Sequence, residues 1–276
     1  MVEGCWVVLM SKSELTVNGR MLTDERRQRI LSMVNEVGTV TSDELASVFA
    51  VSHMTIWRDL NVLEEHNLLR RVHGGVAKIE QNPTIEPFYN NKRVLNRTKK
   101  ELIARYAADH FVHDGDIIIL EAGTTVSAMV KFLKQRNLTV ITNGLGTLNE
   151  ITPSIMDINV MCCGGMLRDV SLTFVGPQAI SYFSHIRVKT FFLGATGIAM
   201  PDGITDPNLL EIQVKQAMAS SSECIVVLLD SSKFGKRSLA TVIPLGLIDI
   251  LVTDADAPVA ELMKLEKLGI QVHIAK

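Results

Sequence analysis

The sequence predicts two domains: a small helical one closed by a hairpin, then a larger α/β domain with a mostly parallel sheet. Three observations predict it. Two short amphipathic helices near the start are separated only by Ala50 and Val51, and a pair of extended runs follows around Gly74-Gly75. Beyond Lys99, short continuous apolar runs alternate with helical segments, the pattern of strands covered on both faces. The chain has 276 residues, 47% hydrophobic and 21% charged. That is globular rather than disordered composition, with room for one sizeable domain after the first.

The elements follow in order. Residues 1–20 carry no capping or periodic pattern and are expected to be a disordered extension or an upstream translation start, with Met10 or Met21 as alternative starts. They contain no basic start followed by a signal-peptide core. No apolar run approaches the ~20 residues of a membrane span. The first domain is expected over 21–79. Thr23 can cap a helix carrying Ile30, Leu31 and Val34 at helical spacing, and Gly38 ends it. A second helix over 42–49 carries Leu45, Val48 and Phe49. The third opens at Ser52, a suitable N-cap.

That third helix has two faces. At about 100° per residue, Ile56, Leu60 and Leu63 fall on one side, with Met54, Arg58 and Asn61 nearly opposite and Trp57 on the flank. The tight spacing from the preceding helix is that of a helix-turn-helix, whose second helix reads the major groove. Ser52, His53, Met54, Thr55, Trp57, Arg58 and Asn61 are therefore the expected DNA-facing residues. The runs 68–73 and 76–79 around Gly74-Gly75 read as a wing carrying Arg70, Arg71 and His73. Charge gives no help: residues 23–78 hold seven Lys or Arg against eight Asp or Glu. Attraction to phosphate must come from local clustering.

Pro83 and Pro87 break the pattern, and 80–98 reads as a linker. Lys92, Arg93, Arg97, Lys99 and Lys100 form a run with no acidic residue, either a solvated helix face or a supplementary phosphate contact. The second domain, 99–276, is expected to have helices over 101–112, 125–135, 207–222 and 258–268. Its expected strands are 117–120, 138–142, 159–163, 190–193, 225–229, 250–253 and 271–274. Loops after such strands bind ligands. After one lies Glu121-Ala122-Gly123-Thr124-Thr125, a glycine, two hydroxyls and a helix start suited to phosphate. Thr142-Asn143-Gly144 ends the next, and Gly164-Gly165 with Arg168 another. Gly194 to Gly197 and Gly203 to Thr205 read as a further loop. Lys215 lies on a helix, and Lys233 sits in the loop after the strand at 225–229. Together they read as a pocket for a small phosphorylated polyol. Cys5, Cys162, Cys163 and Cys224 show no metal spacing, and Cys162 and Cys163 read as buried thiols of a reduced, cytoplasmic protein. No metal or cofactor is expected.

Both halves resemble the DeoR family of bacterial transcriptional regulators. In the first, the resemblance is carried by Glu25-Arg26, Ile30, the segment 40–45, Val51-Ser52, Thr55-Ile56, Arg58-Asp59-Leu60, Leu63-Glu64 and Arg71-Val72-His73-Gly74-Gly75. In the second it is carried by Glu121 with Gly123-Thr124-Thr125, Thr142-Asn143, Gly164-Gly165 with Arg168, Gly176, Gly194 with Gly197, Gly203 with Thr205, Lys215, and the run from Asp230 to Gly235. It implies a winged helix-turn-helix followed by an effector domain similar in fold to sugar-phosphate isomerases. The implied function is repression of a carbohydrate-catabolism operon, released by a phosphorylated sugar. By position, Gly123, Thr124 and Thr125 would hold phosphate, Arg168, Lys215 and Lys233 would supply charge, and Glu121, Thr142 and Asn143 would read hydroxyls, with Gly165 and Gly197 lining the pocket.

Three departures stand out. Trp57 precedes Arg58 where the family has a second arginine, and offers an apolar flank to a thymine methyl or packing for the wing. Glu121 replaces Asp and Gly144 replaces Ser, both at the sugar end. Operator DNA read as two half-sites implies a homo-oligomer, dimer or tetramer. The alternative is an isomerase or deaminase carrying a DNA-binding head, with Glu121, Asp206, Glu211 or Asp230 as its base.

Overall fold

The computed structural model describes residues 23–65, 68–79, 86–151 and 158–276, in two compact units that divide after Glu80. The extension 1–20 and the start of the linker, 80–85, lie outside those residues.

In the first unit, α1 (Thr23–Val37) ends at Gly38, and Thr23 is already helical rather than its cap. A three-residue strand, β1 (Thr39–Thr41), follows; it is too short to show alternation in the sequence. Thr41 caps α2 (Ser42–Phe49): its hydroxyl accepts from Glu44 N at 3.2 Å, and the Glu44 carboxylate accepts from Thr41 N at 2.8 Å. That reciprocal pair holds two otherwise unsatisfied donors. Ala50 then turns left-handed, and Ser52 Oγ accepts from Thr55 N at 3.2 Å to start α3 (His53–Glu65).

The wing is β2 (Leu69–Val72) antiparallel to β3 (Gly75–Lys78), with β1 on the far side of β3. Its turn is His73-Gly74, one residue earlier than the Gly74-Gly75 expected. Gly74 supplies the positive φ. Gly75 pairs with Val72 in the strand and is glycine for another reason: a Cβ there would lie 2.3 Å from the Val40 carbonyl oxygen on β1. Ile30, Leu45, Ile56, Leu60, Leu63 and Leu69 form the core.

One polar residue joins that core. Asp59, 1% exposed, accepts from Arg26 Nε at 2.6 Å and Arg27 Nε at 2.9 Å, tying α1 to α3.

The second unit begins with α4 (Tyr89–Val94) and α5 (Arg97–Phe111). The stretch read as the end of a linker is thus helical, and Tyr89 N donates to Val170 O at 2.7 Å within this unit. The sheet strands are β4 (Ile117–Leu120), β5 (Leu138–Thr142), β6 (Ile158–Cys162), β9 (Val188–Leu193), β12 (Ser222–Leu228), β14 (Ile250–Asp254) and β15 (Gln271–Ala275). They are parallel throughout, in the order β15-β14-β12-β9-β4-β5-β6. Ile118, Leu120 and Val140 face Ile103, Ala104 and Ala107 of α5, while Ile119, Phe191 and Val227 join the core on the opposite face. Two of the helices there, α8 (Pro177–Ser184) and α9 (Leu209–Ser220), contribute Phe183 and Met218 to it.

Departures from the expected elements are local. The helix expected over 125–135 is one turn, α6 (Thr124–Ser127), followed by a 3₁₀ segment, Ala128–Phe132. Arg168 lies on β7 (Met166–Arg168), paired with β8 (Thr173–Val175), and not in a loop. The loop expected from Gly194 to Thr205 contains a hairpin, β10 (Gly197–Ala199) and β11 (Gly203–Asp206), extended by β13 (Ala240–Ile243). α7 (Leu145–Ile151) and α8 had no sequence expectation; α10 (Val259–Lys267) falls where a helix was expected.

The strand order positions the site. From β4 the chain steps outward through β5 to β6, then returns to β9 on the other flank of β4 and steps away through β12, β14 and β15. The two directions part between β4 and β9, and sheets of this kind bind ligands beyond the carboxyl ends of the strands at such a switch. Glu121 and Gly194 are the first residues past those ends.

Replacing Asp59 with Ala would leave two arginines without their shared partner. We expect the first unit to lose about 3 kcal/mol or more of unfolding free energy in urea titrations; a loss below ~1 kcal/mol would mean solvent screens the pair as it screens a surface one.

Candidate DNA-binding surface and effector site

The outer face of α3 follows from its burial pattern. Ile56, Leu60 and Leu63 are fully buried, which leaves Met54, Trp57 and Arg58 in solvent, Met54 at 57% and Trp57 at 53% exposure. The Arg58 guanidinium has no ion pair or hydrogen bond among the described residues. Ser52, His53 and Thr55 form the amino-terminal turn, where Ser52 and Thr55 hydroxyls meet at 2.9 Å and His53 stands 3.5 Å from Asp43. Arg70 and His73 project from the wing, exposed.

Arg71 and Asn61 do something different. Arg71 Nη2 donates to Asn61 Oδ1 at 2.5 Å and to Trp57 O at 3.1 Å, and its backbone N–H donates to Glu64 at 3.2 Å. These bonds strap the wing to α3, so both side chains are engaged within the protein. No sequence signal gave this pairing, since the partners lie on different elements.

In the second unit, a buried ionic triad lies past the carboxyl ends of β4 and β9. Lys215 Nζ lies 3.1 Å from Glu121, 2.5 Å from Asp206 and 3.3 Å from Gly194 O. Glu121 Oε2 also accepts from Gly123 N at 2.7 Å and Gly194 N at 3.3 Å. Burial opposes charge on Lys215, but the two carboxylates outweigh it and hold the ammonium protonated well above the ordinary lysine range. Burial likewise pushes Glu121 up, against the pull of Lys215. Lys215 and Glu121 therefore face each other, where the sequence reading had assigned them to phosphate and hydroxyls. Asp206, the third member, was legible only as a carboxylate in a loop.

Around the triad the expected residues separate into two groups. Thr142 Oγ1 donates to Leu120 O at 2.6 Å and accepts from Gly144 N, so it braces β5 against β4. Gly165 and Gly197 permit close packing: added Cβ atoms would meet Val175 O at 2.6 Å and Lys236 O at 2.2 Å. Arg168 binds Glu86 at 2.9 Å and Glu211, and Ser171 joins them. These residues build the walls. Asn143 is different: its Oδ1 accepts from Ala122 N at 3.1 Å, while its fully buried Nδ2 donates to nothing. Thr125, buried, and Thr124, half-buried, follow Gly123 directly. α6 is only one turn long, so it offers little helix dipole to an anion.

Side-chain charge is close by. Lys92 O accepts from Thr124 Oγ1 at 3.5 Å and also from Lys100 Nζ. The basic run is not a free patch: Arg93 and Arg97 are solvated, and its members are matched by carboxylates or buried. Lys92 pairs with Glu86, Arg93 with Glu150, Arg97 with Glu101, and Lys99 with Asp254 and Asp256. Lys100 is buried. Its signal was in the sequence: Lys100, Ile103, Ala104 and Ala107 share one helical face, and the other three are core. Among the described residues, Lys233 has no hydrogen-bond or ion-pair partner for its ammonium. The same residues contain no group of His, Cys, Asp or Glu placed to hold a metal ion, and no helix long and apolar enough to cross a membrane.

A winged helix-turn-helix with an open recognition face, and a separate α/β unit with a buried polar cluster at its topological switch, define a DNA-binding regulator with a sensor domain. Residues 26–82 match the DeoR-like helix-turn-helix domain and residues 95–255 match the DeoR C terminal sensor domain. The chain belongs to the DeoR family of transcriptional regulators. It is 34% identical to the HTH-type transcriptional regulator YulB of Bacillus subtilis (strain 168), over 91% of this chain and 96% of that one. It is 29% identical to the Glycerol-3-phosphate regulon repressor of Escherichia coli (strain K12), over 92% of this chain and all of the relative. Among solved structures, ribose 5-phosphate isomerase A of Methanocaldococcus jannaschii covers half of the chain and 55% of its own, at 18% identity and a TM-score of 0.37. The family is one of regulators, so the enzyme alternative falls. The carboxylates named for it are mostly committed: Glu121 and Asp206 to Lys215, and Glu211 to Arg168.

Lys215→Met would strand two buried carboxylates. We expect a loss of about 3 kcal/mol or more in the second unit, read as a lowered urea midpoint, with the far-UV signal of the first unit unchanged. Full stability would show that the triad is not the constraint described.

Proposed function

We propose that this protein represses a carbohydrate-catabolism operon as a homo-oligomer and releases its operator when a phosphorylated sugar or related metabolite binds the second unit. The reading is carried by the face of α3, where Met54, Trp57 and unpaired Arg58 stand in solvent above a fully buried opposite face. In a helix-turn-helix these positions meet base edges in the major groove. Arg58 is the bidentate reader, Met54 and Trp57 supply apolar contact, and Ser52, His53, Thr55, Arg70 and His73 lie where phosphates pass. Arg71 and Asn61 act by holding wing and helix together.

The effector side rests on donors without acceptors. Among the described residues Asn143 Nδ2 is buried and unpartnered and Lys233 is unpaired, and Asn143 Oδ1 meets Ala122 N just before Gly123-Thr124-Thr125. The name of the glycerol-3-phosphate regulon repressor points to the same class of ligand. Release of DNA requires only that the effector bind one of two states more tightly than the other.

Arg58→Ala tests the first half. On a duplex selected from a random pool by the wild-type protein, we expect at least about a tenfold loss of affinity in gel shifts. Undiminished affinity would remove α3 from the groove. For the second half, a thermal-shift screen against phosphorylated sugars should find a compound that raises the melting midpoint of the wild type and not of Lys233→Ala. No shift with any member would count against a phosphorylated effector.

A further inference from the structure

The charges around Lys100 do not balance as a structural ion pair would. Lys100 is 5% exposed, and among the described residues its ammonium has one acceptor, the Lys92 carbonyl. An ammonium carries three donors, so two find no acceptor among those residues. The charged groups acting on Lys100 are Lys233, Asp230 and Lys92. Lys92 is already matched by Glu86 at 2.9 Å. That leaves two ammonium groups, Lys100 and Lys233, against the single carboxylate of Asp230. Asp230 itself accepts from Asn96 Nδ2 at 3.0 Å and from Ser232, and keeps one buried oxygen without a partner. Lys233 is acted on further by Lys236 and Asp206.

Burial lowers Lys233 as well, against the pull of Asp230; with Lys233 charged, the cluster is neutral when Lys100 is uncharged and carries a surplus positive charge when Lys100 is protonated. We propose that Lys100 completes the anionic end of the effector site and that a doubly charged phosphate or sulfate group enters with one proton from solvent, which Lys100 Nζ takes up. This rests on the effector-site reading above. The link to the proposed effector site is physical: the Lys92 carbonyl that receives Lys100 also receives Thr124 Oγ1, beside Gly123.

The proton has a reason to move within the ordinary pH range. Burial, with Lys233 and Lys92 nearby, pushes Lys100 down to about 7, against the pull of Asp230. A dianion alongside favours the charged amine and raises it again. Affinity that depends on this proton is fully present below the free-site pKa and falls as pH rises through it.

Sulfate is the probe, because it stays doubly charged over this range and releases or takes up no proton of its own. With ionic strength held constant, calorimetry on the full-length wild type should show sulfate affinity falling about tenfold between about pH 6 and about pH 8. Lys100→Arg, always charged, should bind at both pH values with no such slope, and Lys100→Gln should bind weakly at both. A flat wild-type profile, or a slope retained in Lys100→Arg, would overturn the assignment of the proton while leaving the effector site standing. Sulfate binding at neither pH, by wild type or Lys100→Arg, would overturn the site reading and this proposal together.

Discussion

The strand ends at the centre of the second unit are arranged around one buried ammonium. Taking a lysine out of water is costly, and only close, well-placed carboxylates offset it. Lys215 meets that requirement with Glu121 from the end of β4, Asp206 from β11 and the Gly194 carbonyl past the end of β9. Three separate chain segments are fixed by one charge. Glycine at 123 and 194 follows from it, since side chains there would press on the Glu121 carboxylate. These contacts pin the place where the sheet changes direction, and the buried amide of Asn143 stands next to it, its Oδ1 on Ala122 N.

The first unit uses the same device at smaller scale. Asp59 sits on the buried side of the recognition helix, between apolar neighbours, and two arginines of α1 reach it. Packing alone would hold α3 against α1 with some freedom to rotate. A hydrogen-bonded carboxylate fixes the rotation, and so fixes which side chains α3 turns outward. Arg71 adds a second restraint from the wing. The presentation of Met54, Trp57 and Arg58 is thus set by polar contacts, with the core supplying the stability.

How far the sequence was readable follows from the range of its signals. Periodicity is local, and it located α3, its two faces and the seven parallel strands to within a few residues. It held the signal for Lys100 too, whose spacing with Ile103, Ala104 and Ala107 puts it on the buried face, but the basic run around it masked the pattern and Lys100 was read with that run. Three-residue strands such as β1, β7 and β10 carry too little alternation to be seen. Partnerships are non-local and stayed hidden: nothing near Lys215 says that Glu121 and Asp206 will meet it, or that Arg168 faces Glu86 and Glu211. Residues chosen as ligand contacts by type proved to divide into walls and open donors, a distinction that only three-dimensional neighbours make.

The strap from Arg71 to Asn61 has an evolutionary consequence. A position that both faces outward and anchors the wing is not free to drift, because each replacement of Asn61 also slackens the hairpin. Divergence toward a new operator would instead run through Met54, Trp57 and Arg58, whose side chains hold nothing else in place. The unusual tryptophan at 57 sits within that permissive set, and the wing is untouched by its arrival because only its backbone carbonyl is used.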